Sequence, residues 1–108
     1  MLSKNNRANK KDIEKIFKEG RFISSPNLTF KYILSSDSTD PRISFIAPKS
    51  VAKLAVKRNF LRRLGYDVLG KYINQFPSGV LAVFVFKKYQ DDISIIENEI
   101  KNILSKIN

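Results

Sequence analysis

The stretch K-S-V-A-K-L-A-V-K-R-N-F-L-R-R, from Lys49 to Arg63, carries six of the twenty basic residues of this 108-residue chain. No acidic residue lies between Asp40 and Asp67, so nothing nearby in the sequence offsets this positive charge. A segment with such uncompensated charge is typical of proteins that bind a polyanion. The rest of the chain is interpreted around it.

Helical periodicity divides this stretch into an apolar side and a basic side. The apolar side holds Leu54, Leu61, Leu64 and Val68. The basic side holds Arg58, Asn59, Arg62 and Arg63. Because Arg58 and Arg62 are four residues apart, their planar guanidinium groups stand one above the other and can bind successive phosphates. We therefore predict a helix that begins after Ser50 as N-cap and ends near Gly70, although Gly65 weakens its middle.

A charged helix face can also be an idle, solvated surface. Such faces usually mix Lys or Arg with Asp or Glu at four-residue spacing, and no acidic residue lies within Lys49–Arg63. Like charges at that spacing cost about a few tenths of a kcal/mol each, a cost that a bound polyanion offsets. The pattern therefore favours contact with nucleic acid.

The composition predicts one folded domain spanning residues 1–108, with residues 1–8 as a basic arm. The hydrophobic content is 43%, the net charge is +10 and the isoelectric point is about 10.0. The charge favours RNA, DNA or an anionic surface as partner. The longest apolar run, from Val80 to Phe86, is too short for a membrane span, and no signal peptide is visible, so we expect a cytoplasmic protein with no membrane partner.

Side chains suited to catalysis are scarce. The absence of cysteine removes thiolate catalysis and cysteine-ligated zinc, and the absence of histidine removes the commonest general base and metal ligand. The one dense acidic group has structural interpretations: Asp91 and Asp92 as helix cap and first turn, Glu97 paired with Lys101, and Glu99 on a solvated face. We expect no catalytic residue, no metal site and no small-molecule substrate in this chain.

The remaining elements alternate between helix and strand. A first helix runs from the N-cap Asn9 to a C′ glycine at Gly20. Strands are predicted at 21–24, 28–34, 42–47 and 80–86, with the last one central because it is apolar on both alternations. A final helix runs from Asp91 or Asp92 to Ile107. The order α-β-β-β-α-β-α predicts an α+β fold, a two-layer sandwich of helices on a four-stranded sheet.

Aromatic residues lie among the basic ones in the first three strands and the first helix. Most of them are interpreted as core. Phe17 and Tyr32, beside Lys18 and Lys31, are the exceptions that could stack on unpaired bases.

These residues resemble a known family, the protein subunit of bacterial ribonuclease P. The resemblance rests on Arg58-Asn59 followed by Arg62-Arg63, with Lys49 and Lys53 before them. It extends to the Asn6-Arg7 arm, to D-I-E-K-I-F-K-E-G-R from Asp12 to Arg21, and to the strands R-I-S-F-I-A and V-L-A-V-F-V-F. It covers nearly the whole chain in order.

The resemblance implies an RNA enzyme whose catalytic RNA subunit holds the Mg²⁺ ions and removes the 5′ leader of precursor tRNA. The residues implied to contact the catalytic RNA are Lys49, Lys53, Lys57, Arg58, Asn59, Arg62 and Arg63. Those implied to line a cleft for the leader are Arg7, Lys10, Lys11, Ile13, Phe17, Lys31 and Tyr32. The family also implies a left-handed crossover from the third strand through the second helix to the fourth, against the general right-handed rule.

Two other functions remain open from the residues themselves. A structural RNA-binding protein of ribosomal type would bind RNA without affecting cleavage of precursor tRNA. A metal-dependent nuclease acting through its own carboxylates is disfavoured by the absence of histidine and by the structural roles expected for the acidic residues.

Overall fold

A computed structural model describes residues 7–34 and 40–107. The helices are α1 (Lys10–Glu19), α2 (Ala55–Tyr72) and α3 (Ile93–Ile107), and a 3₁₀ turn (Ile73–Gln75) follows α2. The strands are β1 (Arg21–Ser24), β2 (Leu28–Leu34), β3 (Arg42–Ile46) and β4 (Val80–Phe86). This is the predicted element order. Residues 1–6 of the expected basic arm and 35–39 of the expected polar loop lie outside the described residues.

The four strands form one sheet in the order β1-β2-β4-β3. β2 pairs antiparallel with β1 and β4, whereas β3 and β4 are parallel. The central position predicted for β4 is therefore confirmed. Since α2 connects two adjacent parallel strands, the βαβ crossover is present, while its left hand stays a prediction.

The apolar residues form two clusters, one on each face of the sheet, because successive side chains of a strand point to opposite faces. Phe30, Phe45 and Phe84 pack under α2 and α3 in the larger cluster. Leu81 and Val83 of β4 pack with Ile16 of α1 in the smaller one. The helices thus lie on both faces of the sheet, with α1 on the face opposite α2 and α3.

Helix α1 begins at the predicted cap. Asn9 Oδ1 accepts a hydrogen bond from the Asp12 amide at 2.9 Å, and Asp12 Oδ2 accepts one from the Asn9 amide at 3.1 Å. At the other end Gly20 has an extended backbone, not the left-handed conformation of a C′ glycine. Glycine is needed there because a Cβ would approach the Tyr32 carbonyl oxygen at 3.2 Å and the Ile16 carbonyl oxygen more closely still.

Helix α2 starts four residues later than predicted. Leu54 is its N-cap, and the predicted cap Ser50 lies in a turn where the Pro48 carbonyl accepts from the Val51 amide at 3.0 Å. Leu54, predicted on the apolar face, is 59% exposed. The helix is continuous through Gly65, where an added Cβ would meet the Phe45 ring at 2.6 Å. Glycine there allows close packing of α2 on β3.

Two acidic residues of α3 differ from prediction. Glu99 is only 6% exposed and accepts hydrogen bonds from Ser25 Oγ and from the Asn27 amide at 2.8 Å, so it holds the β1–β2 turn. Glu97 accepts from the Tyr72 hydroxyl instead of pairing with Lys101. That hydrogen bond raises the pKa of Tyr72. Both contacts join segments distant in sequence, which helical spacing cannot predict.

Candidate nucleic-acid interface

The second and third turns of α2 present Asn59, Arg62 and Arg63, which we call the α2 basic face. All three side chains are exposed, and Arg62 Nη2 donates to Asn59 Oδ1. In the described part of the chain the ion pairs join Arg42 to Asp12 and Lys71 to Glu97, so neither involves this face. The predicted basic surface is therefore free to meet an anion.

Arg7 extends the α2 basic face. Its guanidinium lies over the Tyr66 ring, 4.3 Å from the ring centroid. The next residue, Ala8, is held at β3 because Ser44 Oγ donates to its carbonyl oxygen at 2.8 Å. The resemblance assigned Arg7 to the leader cleft; the structure places its guanidinium beside α2, on the Tyr66 ring near the β3 edge.

Together these side chains enclose a groove of about 190 Å³. It is lined by Arg7, Asn59, Arg62, Arg63, Tyr66 and Asp67. Tyr66 also accepts a hydrogen bond from the Phe45 amide at 3.1 Å, which satisfies an outward N–H of the edge strand β3. Helical spacing could have identified Tyr66, because it lies four residues after Arg62 on the same face.

Arg58 does not share this exposed arrangement. Its Nη1 donates to the carbonyl oxygens of Ala52 at 2.9 Å and Lys53 at 2.7 Å. In a continuous helix those carbonyls would accept from the amides of residues 56 and 57. Arg58 supplies the donor for both carbonyls in the turn that precedes Ala55. The predicted stacked pair of Arg58 and Arg62 is therefore divided between two roles.

The three predicted lysines surround the start of α2. Lys49 and Lys53 lie in the turn region before the helix and Lys57 lies in its first turn, and all three are exposed. Lys57 Nζ lies 5.9 Å from the ring centroid of Tyr89, in the segment between β4 and α3. No pattern in the sequence pointed to Tyr89.

The second predicted surface lies on the face of the sheet that α1 covers in part. Phe17 is 47% exposed, and Lys31 Nζ lies 4.6 Å from its ring centroid. We call Phe17 and Lys31 the leader face. Ile13 is half-buried, and Lys10 and Lys11 are exposed in the first turn of α1.

Tyr32 lies on the wrong side of the sheet for the leader face. Its ring stacks on Phe30 at a centroid distance of 5.3 Å and packs against the larger core cluster. Because Tyr32 follows Lys31 directly in β2, their side chains must point to opposite faces. Phe22 is in a better position, being the register partner of Lys31 and 69% exposed. Phe22 is thus one of the aromatic residues of the first three strands for which the interpretation as core is wrong.

Two further features concern metal binding and membrane insertion. Within residues 7–34 and 40–107, no three acidic side chains converge where they could hold a metal ion. Over the same ranges, none of the helices has the length and apolar character needed to cross a bilayer.

Comparison with known proteins shows which family this chain matches. Residues 2–108 match the model of the family described as Ribonuclease P. A protein named "Ribonuclease P protein component" from Pseudanabaena sp. (strain PCC 6903) is 28% identical over 109 residues, covering 98% of this chain and 94% of that protein.

Solved structures share the fold at lower identity. The RNase P protein from Thermotoga maritima matches with a TM-score of 0.81 and 19% identity, over 94% of this chain and 97% of that one. The RNase P protein of Staphylococcus aureus matches with a TM-score of 0.81 and 14% identity, over 98% and 100% of the two chains. The α+β fold is thus the one that these proteins adopt.

Proposed function

Because this chain belongs to the ribonuclease P protein family, which acts in 5′-end maturation of tRNA, we propose that it is the non-catalytic protein subunit of that enzyme. Its partners are then the catalytic RNA subunit and precursor tRNA. The cleavage chemistry belongs to the RNA. The protein acts in the cytoplasm, where its RNA partners are found.

The observation that carries this proposal is the exposed α2 basic face with Arg7 beside it. Guanidinium groups bind phosphate oxygens in a fixed, bidentate geometry, and Asn59 offers an amide between them. Neither described ion pair involves this surface, and Asp67 is the one acidic residue among the described residues that line its groove. We assign the α2 basic face, together with Lys49, Lys53 and Lys57, to the RNA subunit. Arg58 holds the turn before α2 through its hydrogen bonds to the carbonyl oxygens of Ala52 and Lys53.

We assign the 5′ leader to the leader face. An unpaired base can stack on the exposed ring of Phe17, while Lys31 neutralises the adjacent phosphate. Lys10 and Lys11, in the first turn of α1, add positive charge along the path. Phe22 extends the apolar surface across the sheet from Lys31.

The Mg²⁺ ions implied by the family are assigned to the RNA subunit. The donor set of this chain supports that assignment, since three of its described carboxylates make separate structural contacts. Asp12 pairs with Arg42, Asp92 Oδ1 accepts from the Ser94 amide, and Glu99 holds the β1–β2 turn. Bound to RNA, Mg²⁺ would neutralise phosphates and activate the attacking water.

The proposal is tested by cleavage of precursor tRNA by the RNA subunit from the same source at low magnesium, with and without this protein. We expect a large rescue by protein that is inert alone, because the basic surface lowers repulsion between the two RNAs. The matched variants are Arg62→Ala with Arg63→Ala, and Lys106→Ala on the exposed last turn of α3. If rescue is lost in the double arginine variant and kept in Lys106→Ala, the rescue depends on the α2 basic face. Absence of rescue by folded protein would contradict the proposal.

The leader assignment predicts a selective effect of Phe17→Ala. Removing a stacked ring costs about 1 to 3 kcal/mol per base, so binding of leader-bearing tRNA should weaken about tenfold while mature tRNA is unaffected. Phe17→Tyr keeps the ring and should bind both RNAs as the wild type does. Equal losses on both RNAs would remove Phe17 from the leader path.

A further inference from the structure

An exposed aromatic groove lies beside the start of α2, away from the leader face. It encloses about 290 Å³ and is lined by Val51, Ala52, Lys53, Leu54, Lys57 and Tyr89. We call it the Tyr89 groove. Its floor is apolar, since Val51 packs against the larger core cluster, and the Tyr89 ring at its wall is 41% exposed. None of the roles described above uses Tyr89.

The rim of the groove is cationic. Lys57 Nζ lies 5.9 Å from the Tyr89 ring centroid, and the exposed Lys53 lines the same groove. Asp92, three residues after Tyr89, is engaged at the start of α3, where its Oδ1 accepts hydrogen bonds from the amides of Ser94 at 2.9 Å and Ile95 at 3.4 Å. A flat apolar ligand that carries negative charge at its edge fits this arrangement, which is the chemistry of an unpaired nucleotide.

The part of the groove wall formed by Ala52, Lys53 and Leu54 is held in place by Arg58. Its Nη1 binds the carbonyl oxygens of Ala52 and Lys53, the two residues that lead into Leu54. The turn is further closed by hydrogen bonds from the amides of Val51 and Ala52 to the Pro48 carbonyl oxygen. A ligand therefore meets a surface that is already ordered, so little conformational entropy is lost on binding.

From this geometry we propose that the Tyr89 groove binds an unpaired nucleotide of the RNA subunit, with the base stacked on Tyr89 and its phosphates beside Lys53 and Lys57. The groove lies on the α2–α3 side of the sheet, as Val51 shows, and Lys57 precedes the α2 basic face on the same helix. The leader face lies on the opposite side of the sheet. The location thus selects the RNA subunit over the leader.

The inference rests on the proposed function, and its test separates the two. Affinity for the RNA subunit alone, without tRNA, is measured for the wild type, Tyr89→Ala, Tyr89→Leu and Tyr89→Phe. We expect about a tenfold loss for the Ala and Leu variants, and less than a twofold change for Phe, which keeps the ring. The salt dependence should be unchanged in the Tyr89 variants and weaker by about one unit of log–log slope in Lys57→Ala.

Several results would overturn this site. One is an affinity equal to that of the wild type in both Tyr89→Ala and Tyr89→Leu. The Leu variant is included because it preserves apolar bulk if the Ala variant is destabilised. A second is a loss seen only when leader-bearing tRNA is present, which would transfer the groove to the leader. A third is a change in oligomeric state with unchanged RNA affinity, which would make the groove a contact between copies of the chain. Failure of the wild type to bind the RNA subunit would instead contradict the proposed function.

Discussion

Arg58 and Arg62 are one helical turn apart on α2, yet they are in different surroundings. Arg58 donates to two backbone carbonyls of the preceding turn, whereas Arg62 contacts only the side chain of Asn59 among its described hydrogen bonds. One guanidinium stabilises the start of the helix, and the other is available to a ligand. Two arginines at phosphate-binding spacing are therefore not equivalent once the chain that precedes the helix has folded.

The difference arises at the first turn of α2. Leu54 makes no side-chain cap hydrogen bond, and among the described backbone hydrogen bonds none reaches the carbonyl oxygens of Ala52 and Lys53. A nearby guanidinium is a strong substitute donor. Arg62, in the middle of the helix, has no such carbonyls within reach, because those of the surrounding turns are used by the helix itself.

The largest expected effect on stability comes from Gly65→Ala in α2, the helix that carries both arginines. The new Cβ would lie 2.6 Å from Phe45 ring atoms, and that ring is confined by stacking on Phe84 at 4.9 Å. We expect overpacking to cost about 3 kcal/mol and the higher helix propensity of alanine to offset about 1 kcal/mol of it. The free energy of unfolding should therefore fall by about 2 kcal/mol. Urea denaturation measures it.

Gly70→Ala is the matched control, since it adds a methyl group to the same helix five residues later. It should be neutral or stabilising by up to about 1 kcal/mol, through helix propensity alone. If both variants unfold at the same urea concentration, the close approach of α2 to Phe45 does not limit stability.

A smaller effect distinguishes Arg58 from Arg62. Arg58→Ala leaves the carbonyls of Ala52 and Lys53 without their donor and should lower the unfolding free energy by about 1 to 2 kcal/mol. Arg62→Ala should change it by less than about 0.5 kcal/mol, as for other surface substitutions. In RNA binding, Arg62→Ala should reduce the log–log salt slope by about one, because one phosphate contact is lost.

The paired measurement is urea denaturation together with RNA affinity at several salt concentrations. Arg58→Lys should be intermediate in stability, since an ammonium group is a point charge without the planar fork. Equal stability of the Arg58→Ala and Arg62→Ala proteins would mean that the two carbonyl contacts contribute nothing. An unchanged salt slope in Arg62→Ala would remove Arg62 from the RNA interface.

Much of the architecture was predictable from local pattern. The bounds of β1, β2 and β4 agree with prediction, and so does the Asn9 cap, because alternation and capping depend on a few neighbouring residues. The start of α2 was not predictable from local pattern, and the turn before it is held by a side chain from inside the helix. Of the residues expected on the second surface, Phe17 and Lys31 are in contact, Tyr32 points to the other face of the sheet, and Arg7 lies against Tyr66 of α2.

Residue order alone establishes the α+β element order, the central apolar strand and a helix with an unneutralised basic side, because each follows from the period of the side chains and the sign of their charges. Folding assigns the partners. It places Arg58 on backbone carbonyls, brings Arg7 to Tyr66 and Lys57 to Tyr89, and buries Glu99 against the β1–β2 turn. These contacts depend on where turns and distant segments meet in space, and period and charge carry no information about such meetings.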